Sequence, residues 1–360
     1  MKVMILANFD VGLYQFRKEL IQRLLEDNEV YISLPYGELI EPLKELGCIF
    51  LDTKLDRRGI NPFKDMKLFF TYLKILRKIK PDLVITYTIK PNVYGGAACS
   101  LLHIPYAINI TGLGSAFEKE GLLKKIVTCM NKIACRKAKV IFFENEENRR
   151  IFIEQKIAKE QNTYRLNGAG VNLEKYQLLQ YPEGEKTIFL FMGRVMAEKG
   201  INELFDAMKI LKKEGYNCEL HVIGAYEENY KDVIAGYEGE GWLHYYGYQK
   251  DVRPFIKECN CFVLPSWHEG MANTNLESAA SGRPVITSDI PGCREAVDDG
   301  VTGYLVERKN VNSLYSAMKR FMLLTYDERK QMGLMARQRM VDIFDKNKVV
   351  EETILQLFKG

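Results

Sequence analysis

Phe262-Val263-Leu264-Pro265-Ser266-Trp267-His268-Glu269-Gly270-Met271-Ala272-Asn273-Thr274-Asn275-Leu276-Glu277-Ser278-Ala279-Ala280-Ser281-Gly282 passes from an apolar strand through a turn into a short helix. Phe262 to Leu264 read as a buried strand, and His268, Glu269 and Gly270 occupy the turn. Asn273 or Thr274 is placed to cap a helix that carries Glu277 in its first turn and stops at Gly282. A helix that begins where a strand ends offers free backbone amides and the positive end of its dipole to an anion. Two carboxylates seven residues apart and an anion cradle therefore share one turn region.

The same strand-then-helix alternation runs outward in both directions. In the first half Val3–Ala7, Val30–Leu34, Leu83–Tyr87, Tyr106–Ile110 and Val140–Phe143 are predicted strands. Leu13–Glu26, Phe63–Lys78, Val93–Leu102 and Leu122–Arg136 are predicted helices between them. In the second half Thr187–Met192, Glu219–Ile223, His244–Tyr246, Phe262–Leu264, Val285–Thr287 and Tyr304–Val306 are predicted strands. Repeated units of this kind mean a parallel sheet covered on both faces. Asn167-Gly168-Ala169-Gly170-Val171-Asn172 breaks the pattern and reads as a hinge. The expectation is an α/β protein of two doubly wound, Rossmann-like domains, 1–168 and 169–342, facing each other across a cleft. A last helix, 343–360, returns to the first domain.

With 360 residues, 47% apolar and 27% charged, the chain suits two ordinary globular cores. No apolar run approaches the roughly 18 to 20 residues of a membrane-spanning helix, and no export signal is legible, so a cytoplasmic protein is expected. The eight cysteines lack Cys-x-x-Cys spacing and read as reduced core residues. The net charge of +4 conceals an asymmetry. Residues 1–172 carry 27 Lys and Arg against 19 Asp and Glu, and residues 60–140 carry 14 against 4. A basic half implies an anionic partner surface.

Several chemistries lack their motif. There is no Gly-x-Gly-x-x-Gly, Walker loop or nucleophile elbow, and no nucleic-acid recognition module accompanies the charge. His103, His221, His244 and His268 each stand alone in their segments, so no metal site is expected. What remains lies at strand ends. Gly12, after the first strand, suits either close approach to a phosphate or a tight turn with positive φ. Gly193-Arg194 and Lys199-Gly200 follow the strand ending at Met192, where two fixed cations suit a diphosphate. Glu269 and Glu277 suit either an acid and base pair, which needs two carboxylates about 5–10 Å apart, or the binding of sugar hydroxyls. Basic residues interleave with aromatic and aliphatic ones over 63–81 and 119–139, suiting either an anionic membrane surface or ordinary half-buried helices.

Taken together, Gly193-Arg194 with Lys199-Gly200, the Glu269-x7-Glu277 loop, and Gly292–Val306 ending in Asp-Asp-Gly-Val-Thr-Gly-Tyr-Leu-Val resemble the retaining nucleotide-sugar glycosyltransferases of the GT-B fold. Phe142-Phe143-Glu144-Asn145-Glu146 and Thr111-Gly112-Leu113-Gly114-Ser115-Ala116-Phe117 are similar to bacterial enzymes that extend lipid-diphosphate-linked sugars of capsule, O-antigen or glycoprotein glycans, some of which transfer galactose or N-acetylgalactosamine. The resemblance implies that the second domain holds a nucleotide sugar, UDP-linked in most of the family, and the first a polyprenyl-diphosphate-linked acceptor. It places Arg194 and Lys199 on the diphosphate and Gly12 and Gly193 on the phosphate loops. Glu269, with the backbone of Gly270, Met271, Ala272 and Asn273, falls on the donor sugar, Thr274 and Asn275 continue that loop, and Glu277 falls on the ribose. Thr111 and Gly112 fall on the acceptor side, where the family often has a histidine. No cofactor or metal is implied, and the enzyme would work peripherally at the inner membrane face. A nucleotide-sugar epimerase and a non-catalytic sugar-binding protein share the outline.

Overall fold

The computed structural model of the protein describes residues 1–56, 61–113 and 121–359, apart from the side chains of Leu122 and Leu123. Gly114, Ser115, Ala116 and Phe117, and the start of the 119–139 stretch, lie outside the described residues. The chain forms two compact units, Met1–Ala169 with Asn347–Gly360, and Gly170–Lys346.

The first unit runs β1 (Lys2–Leu6), α1 (Asp10–Leu25), β2 (Glu29–Leu34), α2 (Ile40–Glu45), β3 (Ile49–Asp52), α3 (Pro62–Ile79), β4 (Leu83–Tyr87), α4 (Gly96–Leu102), β5 (Tyr106–Ile110), α5 (Leu122–Cys135), β6 (Val140–Phe143), α6 (Glu146–Glu154) and β7 (Thr163–Arg165). Among the described residues these strands form one parallel sheet of order β3-β2-β1-β4-β5-β6-β7. Val3, Ile5 and Ile85 face a core with Leu20, Leu24 and Leu43 of α1 and α2. Met4, Leu6, Val84 and Ile108 face Tyr72 and Leu76 of α3, Cys99 of α4 and Ala134 of α5. Burial on both faces explains why the strands read as continuous apolar runs.

Two expectations need correcting here. The helix expected over Val93–Leu102 opens as a π-helical turn, Pro91–Gly95, before α4. Gly12 does not sit in a loop: α1 starts at Asp10, so Gly12 lies in its first turn, without positive φ. A Cβ there would come 2.6 Å from the Phe9 ring, so a larger residue would have to turn that ring aside.

The second unit runs β8 (Thr187–Met192), α7 (Ile201–Lys213), β9 (Cys218–Ile223), α8 (Lys231–Gly239), β10 (Leu243–Tyr245), α9 (Arg253–Glu258), β11 (Cys261–Leu264), α10 (Asn273–Ala280), β12 (Val285–Ser288), β13 (Gly303–Val306), α11 (Val311–Met322) and α12 (Tyr326–Ile343). Its parallel sheet has the order β10-β9-β8-β11-β12-β13. The order reverses between β8 and β11, the switch point outside which doubly wound sheets hold their ligands. The last helix, α13 (Lys346–Phe358), sends Val349, Val350 and Leu357 into the core beside α1 and β1. Near the end of the second unit Val171 and Asp345 form a parallel bridge, closed by Val171 N–H to Phe344 O at 2.8 Å and Lys346 N–H to Val171 O at 3.1 Å.

Arg283 is the largest fully buried side chain of this unit, and carbonyls rather than a carboxylate receive it. Its guanidinium donates to Ile256 O and Gln180 O, each at 2.8 Å, and to Lys257 O at 3.0 Å, with Tyr181 stacked at 5.6 Å. The 179–181 strap, the end of α9 and the end of α10 all close on this one group. Arg283→Met leaves several buried carbonyls without a donor and is expected to lower unfolding stability by about 3–5 kcal/mol. Urea denaturation followed by circular dichroism checks this, and Arg253→Met, at an exposed position, should change little.

Candidate active site

The loops at the carboxyl ends of β8 and β11 carry the charged residues singled out in the sequence. After Met192 the chain makes Gly193 and Arg194, and Val195 bridges to Tyr226 beyond β9. A single 3-10 turn, Ala197–Lys199, and Gly200 at φ +73° then lead into α7. A side chain at Gly200 would be driven into the Pro265 carbonyl, so the two loops touch backbone to backbone. That contact sets Lys199 beside Glu269. The Lys199 ammonium meets Glu269 Oε1 at 2.5 Å, and the Ser266 hydroxyl donates to the same oxygen at 2.8 Å. Both charged side chains are less than one-fifth exposed, so solvent screens the pair little.

The turn between Pro265 and Glu269 is braced from several sides. Trp267 N–H donates to Glu198 O at 2.9 Å, and its indole N–H donates to Glu203 Oε1 at 3.1 Å. The Lys309 ammonium lies 3.9 Å from the centre of the indole ring. His268 Nε2 stands 3.4 Å from Glu198 Oε2. Gly292, at φ +84°, passes so close that a Cβ would come 2.6 Å from Glu269 O and Gly270 O, and its carbonyl accepts Ala272 N–H at 2.7 Å. Burial pushes up the pKa of the nearby Cys293 thiol, which stays protonated in the wall of the site.

α10 starts at Asn273 with Ala272 as its N-cap, and no side chain caps it. Neither Asn273 nor Thr274 serves as the expected cap, because both are already inside the helix. Asn275 and Leu276 N–H close on Ala272 O at 3.0 and 3.4 Å, so the amides at the open end of the helix are those of Asn273 and Thr274. Glu277 falls in the second turn, not the first, and so is not there to complement the helix dipole. Burial raises its pKa, opposed by a hydrogen bond from the Tyr176 hydroxyl and by the charges of Lys175 and Lys346. Asn275 is fully buried and donates to Thr287 Oγ1 at 3.1 Å. Its amide nitrogen thereby anchors α10 to β12, while its Oδ1 is buried without a partner.

Arg194 is held differently from Lys199. It is half exposed, with Nη1 3.8 Å from Glu227 Oε2, a loose surface pair that leaves the guanidinium room to turn. Lys199, Glu269, Gly270, Met271, Ala272 and Asn273 are thus gathered at one end of the sheet, and Arg194 stands at its margin. Ser266, Trp267 and Tyr176 went unnoticed in the sequence. Ser266, three residues before Glu269 in the same turn, was the legible one.

In the first unit Thr111 and Gly112 line a cavity of about 290 Å³ at the carboxyl ends of β1, β4 and β5, with Asn8, Thr88, Lys90 and Asn92. Thr88 is held at φ +72° with its hydroxyl buried and unpartnered, and Asn8 Oδ1 is likewise buried without a partner. Lys90 pairs with the buried Asp65 at 2.7 Å. His103 ends α4 before β5 begins, at the opposite end of that strand from Thr111, so it does not supply a histidine here. Beside this region Arg17 and Glu144 form a pair at 2.7 Å with Arg17 over the Tyr87 ring, and burial raises the Glu144 pKa.

Comparison with known proteins adds the family. Residues 180–339 match the model of glycosyl transferases group 1, and residues 2–145 match that of glycosyl transferase 4-like proteins. The chain is 27% identical to the N,N'-diacetylbacillosaminyl-diphospho-undecaprenol alpha-1,3-N-acetylgalactosaminyltransferase of Campylobacter jejuni, over 99% of this chain and 98% of that one. It is 30% identical to an uncharacterized glycosyltransferase of Methanocaldococcus jannaschii, over 72% and 68% of the two chains. The Anabaena protein HepE, crystallised with UDP and glucose, superposes with a TM-score of 0.82 at 14% identity, covering 99% of both chains. Two parallel-sheet Rossmann-like units, two matching family models and these relatives make the chain a glycosyltransferase of the GT-B class, a member of the group 1 family.

Proposed function

We propose that the enzyme moves a hexose or N-acetylhexosamine from a UDP-sugar to a lipid-diphosphate-linked saccharide, with retention of anomeric configuration and without a metal in the reaction. The observation that carries this is the Lys199–Glu269 pair set beside the uncapped start of α10. A leaving diphosphate gains negative charge as the glycosidic bond breaks, and fixed cations with aimed amides stabilise that charge without reorganising. Lys199 and Arg194 supply the cations and the amides at the start of α10 the dipoles. Glu269, already fixed by Lys199 and Ser266, orients the sugar hydroxyls, and Glu277 holds the ribose.

The Campylobacter relative's name specifies a lipid-diphosphate acceptor and an α product. A UDP-hexose carries its sugar through an α bond, so an α product means retention. The acceptor hydroxyl then attacks on the face the diphosphate leaves, and a phosphate oxygen takes its proton. The UDP assignment draws on the ligands of the Anabaena structure.

A lipid-linked acceptor asks for a membrane-facing surface, and the first unit has one of suitable chemistry. α3, α4 and α5 lie side by side on one face of the sheet. Their outer side exposes Phe63, Met66 and Phe70 of α3, Leu101 of α4, and Ile126 and Ile133 of α5. Lys64, Lys67, Lys74, Arg77 and Lys78 surround the first group, and Lys125, Lys132, Arg136 and Lys137 the second. Exposed apolar residues ringed by cations suit the headgroup level of an anionic bilayer. No helix among the described residues is long and apolar enough to cross a membrane.

Lys199→Ala and Arg194→Ala are each expected to lower transfer about 10²–10³-fold, read as UDP release from a nucleotide-sugar panel with a lipid-diphosphate acceptor. Near-normal turnover in both variants would sink the mechanism, and conversion of the donor with no acceptor would mark an epimerase. Transfer should continue at an unchanged initial rate in excess EDTA. The protein should sediment with phosphatidylglycerol-rich vesicles at low salt, and Lys74→Glu/Arg77→Glu/Lys78→Glu should weaken that partition by about two orders of magnitude or more. Indifference to lipid charge would remove the membrane assignment.

A further inference from the structure

Away from the strand-end loops, two of the isolated histidines come together. β9 and β10 pair in parallel with His221 opposite His244, and residues in register on paired strands project from the same face. Glu219, two residues before His221, shares that face. Its Oε2 lies 3.4 Å from His244 Nε2 and 4.0 Å from His221 Nε2, and the imidazole rings meet edge to face with centres 5.2 Å apart. The three groups each place a ligand atom within 4.8 Å of the others.

These separations exceed a hydrogen bond's 2.7–3.2 Å. The 3.4 Å from Glu219 to His244 matches the edge of a coordination polyhedron, since donors about 2.0–2.2 Å from a tetrahedral zinc stand about 3.3–3.6 Å apart, and the 4.0 Å to His221 is a few tenths longer, a gap that a small side-chain rotation closes. His221 adds a second, independent sign. It is only 6% exposed, yet its Nδ1 has no hydrogen-bond partner and its Nε2 comes no nearer than 4.0 Å to the carboxylate. A buried imidazole nitrogen left without a partner is unfavourable unless a ligand takes its lone pair.

We propose that Glu219, His221 and His244 form a binding site for one divalent transition-metal ion of the zinc class. One nitrogen of each histidine and Oε2 of Glu219 are the ligands. His244, 43% exposed at its side chain, leaves the solvent side open for water. Two imidazoles and one carboxylate favour zinc and its neighbours over magnesium or calcium, which prefer all-oxygen sets. The rings of Tyr246 and Phe255 form the apolar wall behind His221. Lys186 holds the other carboxylate oxygen at 2.6 Å and is the metal's competitor for Glu219. The ion staples the short edge strand β10 to β9, and none of its ligands belongs to the loops that carry Lys199 and Glu269.

Zinc chloride titrated calorimetrically into the EDTA-dialysed full chain is expected to bind one ion per chain and raise Tm, while magnesium does neither. Cobalt(II) at the same site should show visible d–d absorption. His244→Ala, at a half-exposed position that leaves the core intact, should weaken zinc at least tenfold, abolish the cobalt band and leave the transfer rate unchanged. Lys186→Met, which frees the carboxylate, should tighten zinc severalfold. Absence of stoichiometric zinc binding, or binding equal in wild type and His244→Ala, overturns the assignment.

Discussion

The second unit depends on two places where backbone meets backbone at the carboxyl edge of its sheet. Gly200 lies against the Pro265 carbonyl, and Gly292 lies against the carbonyls of Glu269 and Gly270. Both glycines have positive φ, so a side chain would add strain to a clash. Because the β8, β11 and β12 loops can approach this closely, Lys199 reaches Glu269 without stretching and the turn before α10 is pinned on both sides. The ion pair is thus a consequence of backbone contact, and its rigidity comes from the scaffold more than from its own charge attraction.

The strands were the most legible part of the fold. All six strands of the second sheet appear within a residue or so of where the sequence places them, and the interior ones, buried on both faces, have little choice of composition. β3 and β7 escaped notice because both are edge strands with half-exposed residues, Ile49-Phe50-Leu51-Asp52 and Thr163-Tyr164-Arg165, which need no apolar run. α2 and α6 are short, and neither has a long amphipathic stripe to announce it. The starts of α1 and α10 were misjudged for one reason. In both the true N-cap, Phe9 or Ala272, is a residue no capping preference favours; at α1 the glycine at 12 suggests a loop, and at α10 Asn273 suggests a cap.

The site was legible where chain position decides it and opaque where pairing decides it. Lys199 and Glu269 could be nominated separately, because each follows a strand. Their contact across 70 residues could not be read from either loop. The histidines make the same point more sharply. His221 and His244 are isolated in sequence, and only the register of β9 on β10 makes them neighbours. Asn275 has a task its place in the loop does not announce: its amide ties α10 to Thr287 of β12.

The unequal settings of the two cations bear on how a diphosphate can be both held and released. Lys199 is largely compensated by Glu269 before any substrate arrives, so it adds little net attraction to a bound ground-state donor. In the proposed reaction charge grows on the leaving oxygen as the sugar departs, and the ammonium, with further protons to donate, can strengthen its interaction with that oxygen without leaving Glu269. Arg194, loosely paired and half exposed, retains its attraction for the whole diphosphate but pays side-chain entropy to settle on it. In the proposed reaction a pre-neutralised lysine and a loosely paired, half-exposed arginine divide the work accordingly. On that proposal Arg194 recruits the anion, and Lys199 responds to charge that appears only when the bond breaks, which is the condition for lowering a barrier instead of merely tightening binding.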